Sequence, residues 1–442
     1  MTTESLPAVR LKKVVVLGAN GAMGAGSAAM FASGGCEVTL VSRDLAKSEA
    51  ALGQIQGIAK SERVADPVKC ATYADGLDKV LADADLIFEC LAEDMALKKE
   101  LFAKVDAARP KDSLVATVSS GLSIREMTEG LSESFQSHFA GIHLYNPPHV
   151  MTGVEVIPHP SMDKKLVAAI DAILTERFGR ASITCADMPG FAGNRIGFKV
   201  MNEVAQLAET HGVQMMDTLI GPYTGRAMAP LATVDLVGWD VHEAIVDNIY
   251  ANVKDEAIAS FVMPEYMREQ MRHGHLGDKT PELGGFYRKI NEEGKMRTEV
   301  LDPVSGKYIA SQKISVPFVE EIKALNRGGR YQQAIDTFMA AEGAQADIAR
   351  KVILGYVSYC FNRVGPDEVV ATYADADRIM SAGFNWIPAS GLVDYIGVQR
   401  TVDALKRYDL PPAAILDAAA RGEIATPLFN LPFVMPGRYL AG

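Results

Sequence analysis

The segment from Val14 to Asp44 reads VVVLGANGAMGAGSAAMFASGGCEVTLVSRD, and it decides the fold of the first part of the chain. Its apolar start, Val14–Leu17, predicts a strand, and the small residues of Ala22–Phe31 predict a helix. Glycines between them allow a tight turn and close approach to a pyrophosphate, and the helix N-terminus supplies N–H groups for it. The segment therefore predicts a Rossmann-type dinucleotide-binding fold, with the pyrophosphate held by Gly18, Gly21, Met23 and Gly24.

Two features of this segment depart from the usual pattern. The spacing of Gly18, Gly21 and Gly24 predicts a wider loop than G-x-G-x-x-G. The second strand, predicted to end at Val41, is followed by Ser42-Arg43, where an acidic residue normally binds the ribose hydroxyls and repels a 2′-phosphate. We expect Ser42 and Arg43 at the adenosine end of the cofactor, where they favour NADP. A return of Asp44 to the ribose would favour NAD.

Composition limits the class of protein. The chain has 442 residues, 48% of them hydrophobic, which predicts two or three domains with sizeable cores. A net charge of −11 disfavours nucleic acid and anionic membrane as partners. No apolar run reaches the roughly 20 residues of a membrane span, and the first residues lack the apolar core of a signal peptide. Five cysteines without a C-x-x-C pair are typical of free thiols, so we expect a cytoplasmic protein.

Strand and helix patterns alternate up to Pro189-Gly190 and then give way to long helices. The alternation predicts a parallel sheet covered by helices on both faces, within a domain of residues 1–188. The helix that follows is expected to end at Gly212. The predicted strands are Val14–Leu17, Glu37–Val41, Asp85–Cys90, Leu114–Val118, Gly141–Tyr145, Val154–Ile157 and Ser182–Cys185.

The helical part contains a weak internal repeat. Met215–Trp239 and Tyr373–Gly397 share an acidic helix start, a glycine, a proline and a D-x-x-G helix in the same order. We interpret them as two related all-helical modules, 189–310 and 311–442, although helical hairpins can also resemble one another by chance. The polar, turn-rich stretch Lys289–Lys313 is predicted to be a connector or short hairpin between the modules.

His143 and Glu155 are the candidates for acid–base chemistry. His143 lies in a strand-like run before Asn146-Pro147-Pro148, and Glu155 lies on the next predicted strand. If those strands are adjacent, the carboxylate can reach the imidazole, orient the ring and stabilise its charged form, as oxidation of an alcohol requires. A histidine at a strand end is often structural, so these residues alone leave both interpretations open.

Four motifs occur together in a characteristic order. They are H-x-x-N-P at His143–Pro147, Glu155, PGFAGNR at Pro189–Arg195 and GHLGDKTPELGGFY at Gly274–Tyr287. In this order the chain resembles the 3-hydroxyacyl-CoA dehydrogenase family over most of its length. The stretch Thr218–Gly238 is similar to the long subfamily, whose members often carry an enoyl-CoA hydratase domain after the dehydrogenase part. The chain ends at Gly442 without room for that domain, so we expect dehydrogenase activity alone.

The resemblance implies an activity and its cofactor. The expected reaction is oxidation of a (3S)-3-hydroxyacyl-CoA to the 3-oxoacyl-CoA, in β-oxidation or a related pathway, with NAD as cofactor and NADP as the alternative. A different 3-hydroxy acid, or a cyclic or branched CoA ester, is the second interpretation. A non-catalytic nucleotide-binding protein is the third. We expect a monomer or homodimer, in which the second helical module mimics a partner subunit.

The resemblance also implies roles for individual residues. His143 is the general base and Glu155 its partner, while Ser120 and Asn194 bind the substrate oxygen. Glu93, Lys98 and Asn146 lie beside the nicotinamide and its ribose. The alternatives are an exposed helix-face pair for Glu93 and Lys98, and a helix cap for Asn194. Contact of His149 with substrate and a metal site at His273 and His275 are weaker hypotheses.

Overall fold

The structure is a computed structural model that describes residues 9–292, 294–432 and 434–440. The chain divides into two compact units, Met1–Phe191 and Ala192–Gly442. The sequence places this boundary after residue 188, close to the position in the structure. Among the described residues, no helix has the length and apolar character needed to cross a membrane.

The first unit alternates strands and helices. Single 3-10 turns occur at Glu62–Ala65 and Tyr73–Asp75. The strands are β1 Lys13–Leu17, β2 Glu37–Ser42, β3 Val68–Thr72, β4 Leu86–Glu89, β5 Leu114–Thr117, β6 Phe139–Leu144, β7 Gly153–Pro158 and β8 Ala181–Thr184. The helices are α1 Ala22–Ser33, α2 Leu45–Ala59, α3 Leu77–Val80, α4 Met95–Ala108, α5 Ile124–Met127, α6 Glu133–Gln136 and α7 Lys164–Glu176.

These strands form one eight-stranded sheet in the order β3-β2-β1-β4-β5-β6-β7-β8. Strands β1 to β6 are parallel, in the order that defines the Rossmann fold, and the order reverses between β1 and β4. Strand β7 pairs antiparallel with β6 and parallel with β8. The carboxyl ends of β1 to β6 therefore share one edge of the sheet, where ligands bind in open parallel sheets.

The sheet differs from the prediction in three respects. Strand β3 was not predicted, because VKCAT is a half-exposed edge strand with little apolar alternation. The prediction of a parallel sheet is wrong for β7, because the chain from residue 145 to 152 is too short for a crossover and returns antiparallel. Strand β2 ends at Ser42 rather than Val41, because Ser42 still pairs with Thr72 of β3.

Apolar side chains on both faces of the sheet hold the first unit together. On one face, Phe31 of α1 packs edge-on against Phe88 of β4 and Phe178, with ring centroids 5.2 and 5.5 Å apart. On the other face, Phe102 of α4 packs edge-on against Phe139 of β6 at 5.0 Å. The rings of Phe31, Phe88, Phe102 and Phe139 are all buried. Burial on both faces of the sheet explains the apolar runs of the predicted strands.

The second unit is mostly helical and also contains a small sheet. Single 3-10 turns occur at Pro222–Thr224, Ile258–Phe261 and Gly277–Lys279. The helices are α8 Gly193–His211, α9 Val213–Leu219, α10 Pro230–Val237, α11 Trp239–Asn252, α12 Glu265–Arg272, α13 Pro317–Arg327, α14 Tyr331–Ala340, α15 Ala344–Asn362, α16 Tyr373–Gly383, α17 Ala389–Ile396, α18 Val398–Arg407, α19 Ala414–Ala420 and α20 Gly437–Leu440. The strands are β9 Tyr287–Glu292, β10 Lys295–Asp302 and β11 Lys307–Ala310.

The small sheet occupies the stretch expected to be a connector or hairpin. Strands β9, β10 and β11 pair antiparallel in sequence order, so Lys289–Lys313 is a meander. The first module is therefore not entirely helical. Helix α8 ends as expected at Gly212, whose φ of 82° suits a residue without a side chain.

Matched contacts support the internal repeat in the second unit. Asp217 accepts hydrogen bonds from the backbone N–H groups of Leu231 and Ala232 at the start of α10. At the start of α17, Asp377 accepts one from the backbone N–H of Ser390.

A second pair of carboxylates, one in each half of the repeat, also accepts hydrogen bonds from backbone N–H groups. Asp235 binds the N–H groups of Phe286 and Tyr287, and Asp394 binds those of Leu428 and Phe429. The acidic residues that define the repeat in the sequence thus perform the same structural task twice.

Substituting Gly197 tests the packing of α8 on the end of α16. A Cβ at Gly197 would lie 2.2 Å from the Phe384 ring, so we expect Gly197→Ala to lower the free energy of unfolding by about 1–3 kcal/mol. In the matched control Gly53→Ala, the added methyl group meets no atom within 4 Å in helix α2. That substitution should stabilise by about 0.5–1 kcal/mol. Denaturant unfolding of both variants measures the difference, and equal effects would contradict the close contact.

Candidate functional site

The loop between β1 and α1 is packed so closely against the protein's own backbone that two of its glycines cannot carry a side chain. Gly18 has φ of 81°, and a Cβ there would lie 2.8 Å from the carbonyl oxygen of Cys90. A Cβ on Gly24 would lie 2.5 Å from the carbonyl oxygen of Gly18. Helix α1 begins after Gly21 without a side-chain cap, so its first N–H groups and positive dipole end are suited to an anion. The residues present fit the pyrophosphate of a dinucleotide.

The other predicted site residues of the first unit lie at the same edge of the sheet. Glu93 follows β4, Ser120 follows β5, and Asn146 follows β6, while Ser42 ends β2. Asn146 is exposed and Ser120 is half-buried. Because all of these strands are parallel, the fold brings together residues that are far apart in sequence.

His143 and Glu155 form a buried hydrogen-bonded pair. They are direct partners in the antiparallel register of β6 and β7, so their side chains lie on the same face. The imidazole Nδ1 lies 2.6 Å from Oε2 of Glu155, and the two residues are 4% and 0% exposed. Because an ionised carboxylate only accepts, Nδ1 donates its hydrogen to Glu155. The lone pair of Nε2 is then the one available for a proton.

Tyr145 is a third member of this network, which the sequence analysis did not identify. Its hydroxyl donates to the same Oε2 of Glu155 at 2.7 Å, and its ring centroid lies 4.9 Å from that of His143. Burial, and then the charge of Glu155, raise the pKa of the Tyr145 phenol well above its usual value. Tyr145 therefore stays protonated and acts as a fixed donor. In the sequence, the feature that could have identified Tyr145 is its position two residues after His143.

Phe191 provides an apolar wall beside the imidazole. Its ring centroid lies 5.7 Å from that of His143, and its side chain is fully buried. The backbone of Phe191 is left-handed, with φ of 48°, a conformation that is uncommon for a bulky residue. Such conformations cluster at functional sites, where the surrounding structure imposes them.

Glu93 holds the loop that carries Ser120. Its Oε1 accepts hydrogen bonds from the Ser119 hydroxyl at 2.6 Å and from the N–H groups of Ser120 and Gly121 at 2.9 and 3.1 Å. One carboxylate thus ties the loop after β4 to the loop after β5. Glu93 therefore fixes the position of Ser120, the residue expected to contact substrate.

Lys98 is buried rather than presented on a helix face. Its ammonium lies 2.8 and 2.7 Å from the two oxygens of Glu89, and both side chains are fully buried. It lies 3.9 Å from Glu93. The hydroxyl of Thr117 also donates to Glu89. The alternative of an exposed helix-face pair is therefore wrong for Lys98. Glu89 was not predicted from the sequence, although it ends an apolar strand where an acid is unusual.

The sequence also predicted roles for Asn194, His149 and His275. Asn194 is the second residue of α8 in the other unit, and Ala192 precedes the helix as its cap residue. His149 is exposed. In the second unit, His275 binds the carbonyl oxygen of Leu283 and the Tyr308 hydroxyl. Within the described residues, no group of three or more His, Cys, Asp or Glu side chains is arranged to hold a metal.

The strand order and the glycine loop define the first unit as a dinucleotide-binding domain of the Rossmann type. Residues 13–188 match the family model described as 3-hydroxyacyl-CoA dehydrogenase, NAD binding domain, and residues 190–289 match the C-terminal domain of the same family. The chain belongs to the 3-hydroxyacyl-CoA dehydrogenase family, a family of NAD-binding oxidoreductases. This confirms the resemblance found in the sequence motifs.

Individual relatives agree with this assignment. A “Probable 3-hydroxyacyl-CoA dehydrogenase” of Deinococcus radiodurans is 32% identical over 299 residues, 64% of this chain and 85% of that protein. One of Bacillus subtilis is 29% identical over 433 residues, 91% of this chain and 53% of that protein. The chain thus spans about half the length of the latter. The crystal structure of 3-hydroxybutyryl-CoA dehydrogenase from Escherichia coli has the same fold, with a TM-score of 0.69 at 21% identity, over 94% of this chain and 99% of that one.

Replacing Lys98 tests the buried ion pair. We expect Lys98→Met to destabilise the protein by about 3–5 kcal/mol, because the Glu89 carboxylate would remain buried without its cation. The double variant Lys98→Met/Glu89→Leu should recover much of this loss, because it removes both charges. Denaturant unfolding measures both effects.

The adjacent lysine provides the control. Lys99 forms an exposed ion pair with Glu129 at 3.0 Å, so Lys99→Met should change the free energy of unfolding by no more than about 1 kcal/mol. Equal losses in Lys98→Met and Lys99→Met would show that the buried pair has no special role.

Proposed function

We propose that the protein oxidises a (3S)-3-hydroxyacyl-CoA reversibly to the 3-oxoacyl-CoA with NAD, in fatty-acid β-oxidation or a related degradation of CoA esters. The observation that carries this proposal is the hydrogen-bonded His143–Glu155 pair, beside the carboxyl edge of a dinucleotide-binding sheet. The names of the relatives in Deinococcus radiodurans and Bacillus subtilis support the same substrate class.

His143 is the general base of the proposed reaction. Its Nε2 removes the proton of the 3-hydroxyl group, while Nδ1 donates to Glu155 and keeps the ring in one orientation. The buried carboxylate stabilises the imidazolium that forms, and the Tyr145 hydroxyl keeps that carboxylate in place. When bound, NAD supplies the acceptor for the hydride that leaves C3.

The remaining site residues position the reactants. The Ser120 hydroxyl binds the substrate oxygen, and Glu93 holds the loop of Ser120 through two backbone N–H groups. Asn146 lies beside the nicotinamide. Asn194, at the start of α8, is proposed to bind the same substrate oxygen and the thioester. Orientation of this kind lowers the activation barrier without any change in the chemistry of the cofactor.

Replacing His143 tests the general base. We expect His143→Gln to reduce turnover of acetoacetyl-CoA with NADH, the reverse reaction in which His143 returns the proton, by at least about 100-fold, a typical contribution of a positioned acid or base. Binding of NADH, followed by nicotinamide fluorescence, should remain unchanged. His138→Gln is the matched control, because His138 precedes β6 and binds the carbonyl oxygen of Ser134. Near-normal turnover in His143→Gln would refute the assigned role.

Tyr145→Phe tests the positioning role of the phenol. Without its hydrogen bond, the charge of Glu155 acts more strongly on His143 and stabilises the imidazolium. We therefore expect the acid limb of the pH profile of kcat/KM for oxidation of the 3-hydroxyacyl substrate, which requires unprotonated His143, to move to higher pH. Turnover should fall by about 3–10-fold, as expected for loss of one hydrogen bond with a net contribution of about 0.5–1.5 kcal/mol. NADH affinity should stay the same. An unshifted pH profile would mean that Tyr145 serves packing alone.

A further inference from the structure

The adenosine end of the cofactor site lies beside the end of β2. The backbone N–H groups of Gly18 and Ala19 donate to the carbonyl oxygen of Val41 at 3.0 and 3.2 Å, so the glycine loop is tied to this strand end. In a dinucleotide fold that holds the pyrophosphate at the first glycine loop, the end of the second strand meets the adenosine ribose. The next residue, Ser42, is therefore the residue beside the ribose.

Ser42 supplies no negative charge there. It is 1% exposed, and within the described chain its hydroxyl has no hydrogen-bond partner. A carboxylate at this place would accept hydrogen bonds from both ribose hydroxyls and repel a 2′-phosphate. A buried serine hydroxyl does neither, so the usual barrier to a 2′-phosphate is missing.

Two carboxylates close to Ser42 are occupied elsewhere: Asp44, two residues along the chain, and Asp75, which binds Thr72, the strand partner of Ser42. Asp44 caps α2, where it accepts from the backbone N–H of Lys47 at 3.0 Å and pairs with the Lys47 ammonium at 3.0 Å. The hydrogen bond from Lys47 lowers the pKa of the Asp44 carboxyl. Asp75 accepts from the N–H and hydroxyl of Thr72 at 2.7 and 3.0 Å. Asp44 therefore serves the helix rather than turning back to the ribose.

Arg43 supplies a positive charge at the same place. It is exposed, and among the described residues its guanidinium makes no hydrogen bond or ion pair. It immediately precedes the capped N-terminus of the fifteen-residue helix α2, whose dipole also favours an anion. A guanidinium presents paired N–H donors that match the oxygens of a phosphate.

We infer that the adenosine end of this site accepts a 2′-phosphate bound by Arg43, so that the protein uses NADP as well as NAD. The inference rests on the proposed function for the reaction, but it concerns nucleotide binding alone. Ser42 is the residue that permits the phosphate, and Arg43 is the residue that binds it.

Nucleotide binding without substrate tests the inference. We expect the wild-type full-length chain to bind NADPH and NADH with dissociation constants within about tenfold of each other, measured by nicotinamide fluorescence. Arg43→Gln should raise the dissociation constant for NADPH about tenfold, as expected for loss of a charged hydrogen bond, and leave that for NADH within about twofold. Ser42→Asp should weaken NADPH binding and preserve NADH binding.

Arg63→Gln is the matched control. Arg63 is also exposed, but it follows the other end of α2, roughly 20 Å away at about 1.5 Å per residue. This variant removes the same charge, so equal losses of NADPH affinity in Arg63→Gln and Arg43→Gln would overturn the role of Arg43. A wild-type preference for NADH above about 100-fold would overturn the inference.

The same titrations separate this inference from the proposed function. Binding of NADH without NADPH overturns the inference alone. Binding of both nucleotides without turnover of acetoacetyl-CoA supports the inference and counts against the proposed reaction. Failure to bind either nucleotide overturns both.

Discussion

The buried carboxylate of Glu155 is the constraint on which the site depends. A charge without solvent is costly unless hydrogen-bond donors surround it, and here His143 and Tyr145 both donate to the same oxygen. His143 lies in β6, Tyr145 directly follows that strand, and the acceptor Glu155 lies in β7. The antiparallel return of β7 places His143 directly opposite Glu155. The reversal of one strand in a parallel sheet is thus what brings His143 and Glu155 together.

A second buried acid organises the neighbouring part of the same edge. Glu89 at the end of β4 is neutralised by Lys98 of α4 and also accepts from Thr117 of β5. Three elements are therefore fixed around one charge. Close to this group, Glu93 ties the loops after β4 and β5 together. Hydrogen-bonded networks of this kind hold side chains in one geometry, because any displacement leaves a buried charge unsatisfied.

The second unit uses carboxylates for a different purpose. Asp217 and Asp377 bind the N-termini of equivalent helices, and Asp235 and Asp394 bind backbone N–H groups of chain segments far along the sequence. These contacts satisfy backbone donors that would otherwise be buried without partners. The aspartates of the repeated D-x-x-G pattern, Asp235 and Asp394, therefore have a structural role in binding backbone N–H groups.

Local sequence determined the glycine loop, the helix that follows it, the change to helices after Pro189-Gly190 and the end of α8 at Gly212. Each depends on residues within one or two turns of chain, where glycine conformation and apolar periodicity act directly. The candidate pair of His143 and Glu155 was also found from sequence, because two short strands separated by prolines limit how far apart they lie.

Tertiary structure alone decided the direction of β7, the edge strand β3 and the partners of the buried acids. Burial of Lys98 depends on Glu89, a strand residue from the other side of a loop, and no local pattern records that contact. The sequence also left open whether Asp44 binds the ribose or caps a helix. In the structure it caps the N-terminus of α2. For the buried acids the physical reason is that the electrostatic cost of burying a charge depends on neighbours that only the folded chain brings together.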